Sequence, residues 1–162
     1  MSNFQFLYSE WPEFFEIAKE AEDMVHTKPL ASRMFCRQAL EKGIYWMYDN
    51  DSRLEIPHKN TLGSLITAKC LKPLFDKNAR RSLNMLKQIG NASIHRRALE
   101  KSEADMVTRF GPIEYVDVNS DADLAQVAIR LLFQCPLILP LSYFQLCVNR
   151  RSNEQDTGTQ FG

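Results

Sequence analysis

The stretch Leu86-Lys87-Gln88-Ile89-Gly90-Asn91-Ala92-Ser93-Ile94-His95 decides how this chain is read. Leu83, Leu86 and Ile89 recur at helical spacing, so a helix arrives here with one apolar face turned to a core. Gly90 then removes a side chain, which lets a second element approach closely or the backbone bend. Asn91 is a residue type that caps or turns. His95 lies four positions on, so a helix resuming after the glycine carries both polar side chains on one face. The expectation is a small polar site beside a core helix.

Around this stretch the charge is uneven. The chain has 162 residues, 44% hydrophobic and 25% charged, which fits one domain with a sizeable core and excludes a disordered chain. Its formal net charge is zero, which alone argues against nucleic acid. The distribution reverses that argument. Residues 1–58 carry six Lys/Arg against ten Asp/Glu, residues 59–101 ten against two, and residues 102–162 four against eight, giving nets of −4, +8 and −4. The positive segment holds Lys69, Lys72, Lys77, Arg80, Arg81, Lys87, Arg96, Arg97 and Lys101. Such a segment suits a phosphate-facing surface, or equally a solvated face paired with the acidic segments of the same fold. Phe75 is the only aromatic within it, so it lacks the stacking platform that single strands use.

Cys36, Cys70, Cys135 and Cys147 stand far apart with no CxxC pair, so neither a zinc site nor a disulfide framework is expected, and the thiols read as reduced. No phosphate-cradling Gly-x-x-x-x-Gly-Lys-Ser/Thr occurs, and no cofactor is implied. The first eight residues show no basic and apolar signal pattern. Residues 131–148 are uncharged, but Pro136, Pro140, Gln134, Gln145 and Ser142 suit a buried helix broken at Pro136 better than a membrane span, and the localisation expected is cytoplasmic.

In chain order, Ser9-Glu10-Trp11-Pro12-Glu13 offers a capping serine, a first-turn proline and acids for the positive helix end. The helix that follows has the apolar stripe Phe14, Ile17, Ala18, Ala21, Met24 and Val25. Thr27-Lys28-Pro29 opens a second helix to about Tyr48, with Ala31, Met34, Phe35, Leu40, Ile44, Met47 and Tyr48 as its stripe. Arg37 and Glu41, four apart on it, are placed to pair, while Arg33 and Arg37 share a face that binds an anion or holds that carboxylate. Asn60 or Thr61 caps a short helix with Leu62, Leu65 and Ile66; Pro73 breaks it, and residues 78–89 form the next. Residues 113–118 alternate as a short strand would, then Ser120 or Asp121 caps a last helix carrying Leu124, Val127, Ala128, Leu131 and Leu132. The result is an all-α bundle of four to five helices over residues 1–148, with an irregular excursion before the last helix and a disordered polar tail at 149–162.

Several features together resemble a known family. Phe4-x-Phe6-Leu7 with Glu10-Trp11-Pro12, the Ala21-Glu22 pair, Arg37-x-x-Leu40-Glu41 followed by Tyr45-Trp46-Met47-Tyr48, and Ile89-Gly90-Asn91-x-x-x-His95 look like the small helical domain that begins the R subunits of type I restriction endonucleases. The resemblance covers residues 4–98 and, loosely, the helix at 121–133. That domain is similar to the HEPN helical superfamily, whose nucleases carry an Arg separated from a His by four to six residues. Gln88, Ile89 and Gly90 occupy those positions here, and Lys87 is one position too far. The Glu-x-Lys of the restriction nuclease is missing too. The resemblance therefore implies a HEPN-like fold and a detached or truncated leading domain more than it implies chemistry.

Three functions follow as expectations. The first is a non-catalytic domain of a type I restriction-modification system that contacts DNA or another subunit, with Lys69, Lys72, Lys77, Arg80, Arg81, Lys87, Arg96 and Arg97 as its surface. The alternative is a metal-independent ribonuclease, in which His95 is the general acid or base, Lys87, Arg96 or Arg97 steadies phosphate charge, Asn91 orients the histidine, and RNA is the partner. The third is a homodimer anchored by Tyr45, Trp46 and Tyr48.

Overall fold

Two prolines open the first two long helices. Pro12 begins α1 (Pro12–Asp23) and Pro29 begins α2 (Pro29–Asn50); at these first positions the missing N–H is one the helix leaves unbonded anyway. The computed structural model describes residues 2–92 and 120–134. The excursion, the strand expected at 113–118, the polar tail, and His95, Arg96, Arg97 and Lys101 lie outside the described residues.

The serine cap expected at Ser9 is not made. Trp11 holds the N-cap position and no side chain caps α1 there, because Pro12 already has the helical φ fixed by its ring. The other caps form as their residue types demand. Thr61 accepts from Ser64 N at 3.3 Å and starts α3 (Leu62–Thr67). A single 3-10 turn at Lys72–Leu74 surrounds Pro73. Asp76 accepts from Ala79 N at 2.7 Å ahead of α4 (Lys77–Ala92), and Ser120 accepts from Asp123 N at 3.2 Å ahead of α5 (Asp121–Phe133). Among the described residues every long element is a helix, so the chain is an all-α bundle.

α2 is the central post, with α1, α4 and α5 packed on it. This corrects the expected stripe. Met34 is 47% exposed and Ala31 and Phe35 only half-buried, whereas Ser32, Arg33, Cys36, Ala39 and Gly43 are buried beside Leu40, Ile44, Met47 and Tyr48. A helix covered on three sides has no single apolar face, and small residues admit its neighbours most closely. Leu65, Leu71, Leu83, Leu86, Ile89 and Leu132 close the core around it, each worth about 1.5–3 kcal/mol when fully buried.

Two hydroxyls inside the bundle are tied to backbone carbonyls of neighbouring helices. Ser32 donates to the Ala21 carbonyl at 2.6 Å, joining α2 to α1. Tyr48 donates to the Leu65 carbonyl at 2.9 Å, joining α2 to α3, and burial raises its hydroxyl pKa above the ordinary range. At the N-terminus Phe4 and Leu7 are buried, and Phe4 meets Phe133 of α5 edge-on at 5.9 Å. Glu22 accepts from Ser2 Oγ at 2.6 Å and Asn3 N at 3.2 Å, which gives the Ala21-Glu22 pair its structural use.

Candidate functional site

The opening stretch is used for packing. α4 neither breaks at Gly90 nor ends at Asn91; it runs on through Ala92. A Cβ placed on Gly90 would stand 3.0 Å from Arg37 Cγ and Cδ and closer still to Arg37 Cβ, so the missing side chain lets α4 lie directly on α2. One residue on, Asn91 Oδ1 accepts from Arg37 Nε at 2.6 Å, while Arg37 Nη1 donates to Glu41 at 2.9 Å. The expected Arg37–Glu41 pair is present, and Asn91 neither caps nor turns: it completes the hold on Arg37.

Arg33, one turn before Arg37, is fully buried and reaches Asp121 at the start of α5 at 3.3 Å. The guanidinium thus ties the central helix to the first turn of α5, where an acid is also favoured by the helix dipole. Together Arg33 and Arg37 fasten α5 and α4 to α2. Sequence reading placed both on one face and left open what they hold; Asp121, 88 residues away, carried no local signal of this role.

The cationic residues gather elsewhere. Lys72, Lys77, Arg80 and Arg81 line one open cleft of about 580 Å³, floored by buried Ile66 and edged by Thr67 and Asn84. The local reason is plain. Lys77, Arg80, Arg81 and Asn84 stand at helical spacing along the solvent side of α4, and the Pro73 turn brings Lys72 opposite them.

Pairing separates these cations from five others. Arg33, Arg37, Lys42, Arg53 and Lys19 each bind a carboxylate. Among the described residues, Lys72, Lys77 and Arg80 form no ion pair; Arg80 donates only to the Asp76 carbonyl, at 3.4 Å. Asp76, the one acid between Lys59 and Leu99, has its carboxylate on the α4 cap.

The remaining expected site residues divide. Lys69 is exposed in the turn after α3 and does not line the cleft. Lys87 lies further along α4 against Gly63 of α3, and donates to Asn84 at 3.5 Å. Arg96, Arg97 and His95 lie outside the described residues. Thr67 and Asn84 were not singled out in the sequence, although the spacing of Asn84 from Lys77 and Arg80 carries the signal.

No cation-binding group of acids, histidines or cysteines is found among the described residues, nor any helix long and apolar enough to cross a membrane. No family model, curated protein or solved structure matches the chain.

Proposed function

We propose that the chain is a non-catalytic binding domain whose cleft between α3 and α4 engages the phosphate backbone of duplex DNA. The observation that carries this reading is the concentration of Lys72, Lys77, Arg80 and Arg81 around one concave surface, the first three lacking carboxylate partners among the described residues, whereas Arg33, Arg37, Lys42, Arg53 and Lys19 are each bound to one. Unpaired cations in a cleft release condensed counterions when they meet phosphates, which is the main source of sequence-independent affinity. Thr67 and Asn84 add neutral donors of the kind that position a backbone. The absence of an aromatic in the cleft favours a duplex over a splayed single strand.

The resemblance to the leading domain of type I R subunits, carried by the Arg37-x-x-Leu40-Glu41 and Ile89-Gly90-Asn91 motifs, supports a place in a cytoplasmic restriction-modification system and a HEPN-like bundle. The helices observed belong to the all-α class that this resemblance implies. The roles found for Arg37, Gly90 and Asn91 are structural ones, which suits a domain that binds without cutting.

The test is a salt series of the purified chain with a short DNA duplex and with RNA, cleavage being followed in the same samples. Salt-sensitive duplex binding without cleavage is expected. RNA cleavage abolished by His95→Ala would overturn the reading in favour of a ribonuclease, and no duplex binding at 50 mM salt would overturn it outright.

A further inference from the structure

A second concave surface lies between the start of α1 and the middle of α2, away from the basic cleft. Trp11, Phe14, Gly43 and Trp46 line an apolar pocket of about 230 Å³, with exposed Glu13 and Lys42 also lining it. Trp11 and Trp46 meet edge-to-face at 4.9 Å, and Phe14 stacks on Trp11 at 5.4 Å, so the walls pack on one another and against the core. This resolves the aromatic run of α2: Tyr48 is buried and spent on Leu65, whereas Trp46 faces a pocket. The volume is below the 300–1,000 Å³ usual for small-molecule sites. It suits one large apolar side chain.

Charge describes what carries that side chain. Glu16 and Glu20 follow Glu13 at steps of three and four, so the carboxylates form a row along α1 that starts at the pocket. Residues 9–23 hold six acids and one base, Lys19, which is itself bound to Asp23. Lys42 pairs with Glu13 across the α1–α2 junction. The row remains negative after both pairings.

We propose that this surface docks a basic segment of a partner protein, which seats one large apolar residue in the pocket that Trp11 and Trp46 wall and lays its Lys/Arg side chains along Glu13, Glu16 and Glu20. Buried aromatic anchors at the centre of a patch carry most of the affinity of such contacts, and the charged row sets partner choice and approach. The surface shares no residue with the α3–α4 cleft, so it stands whether or not that cleft binds DNA.

Trp11 and Trp46 are the only tryptophans of the chain, so its intrinsic emission reports on this pocket. The probe is the capped peptide Lys-Lys-Phe-Lys-Lys, compared with its Phe→Ala version and with Glu-Glu-Phe-Glu-Glu. A saturable emission change is expected with the first peptide alone, weakened at least tenfold in the exposed double variant Glu16→Lys/Glu20→Lys. No change at millimolar peptide, or an equal change with the alanine or acidic peptide, would overturn the proposal. So would emission that shifts with protein concentration alone, which would give the pocket to a second copy.

Discussion

Gly90 of α4 lies against Arg37 of α2 with no room for a side chain between them: a built Cβ stands 3.0 Å from both Arg37 Cγ and Cδ. Arg37 Cβ is fixed to a helix packed on three sides, so it cannot swing away as the end of a long side chain would. The same arginine is then gripped from α4 by Asn91 and from its own helix by Glu41. The motif Ile89-Gly90-Asn91 is therefore a helix-to-helix fastening.

Gly90→Ala sets two effects against each other. Alanine within a helix gains about 0.5–1 kcal/mol over glycine, but overpacking a tight contact costs about 1–3 kcal/mol. The contact wins, and urea unfolding should show a net loss of about 1–2 kcal/mol. Gly63→Ala is the control, since its built Cβ meets only Lys87 Nζ at an ordinary 3.6 Å, and it should cause no such loss. In an Arg37→Gly background the Gly90→Ala loss should shrink.

Asp121 should matter more than its half-exposed surface position suggests. It faces Arg33, which is fully buried, and a hydrogen bond to a charged group is worth about 1.5–3 kcal/mol. Asp121→Ala is expected at the lower end of that range in urea unfolding, because water reaches the carboxylate side. Asp123→Ala removes another acid of the same first turn, together with its bond from Ser120 Oγ at 2.8 Å, and gauges the dipole effect. Equal losses in the two variants would contradict the Arg33 account.

How far the sequence reached can be judged from these residues. The helices, the caps at Thr61 and Ser120 and the Arg37–Glu41 pair are local, set by spacing and residue type, and they were legible. The buried face of α2 was not, because a post surrounded by three helices buries Ser32, Arg33 and Gly43, whose types do not announce burial. Gly90 was recognised as special, but only the position of Arg37, 53 residues earlier in the chain, distinguishes close approach from a bend. The cationic residues were legible only as one positive segment, with the helix expected from residue 78; that Lys72, Lys77, Arg80 and Arg81 share a cleft depends on α4 beginning at Lys77 and on the turn at Pro73.

Cys36 is buried between helices, and loss of hydration pushes its thiol from 9.0 up to about 12. The folded pKa is the higher one, so the stabilisation it gives is whole below pH 9 and is lost as pH rises from there towards 12. Iodoacetamide at pH 8 followed by mass mapping should leave Cys36 unmodified in the folded protein and label it in urea. Modification of Cys36 without denaturant would contradict its place in the core.

The α3–α4 cleft binds phosphate through Lys72, Lys77 and Arg80, which form no ion pair among the described residues, and the most direct measurement is the salt dependence of duplex DNA affinity in cleft and control variants. Each phosphate contact contributes about −0.9 to the slope of log K against log salt. Lys77→Ala/Arg80→Ala should therefore flatten the slope by about 1.8, whereas Lys19→Ala/Lys42→Ala, whose cations are already bound to Asp23 and Glu13, should leave it within error. Equal slopes for the wild type and the cleft variant would contradict the account.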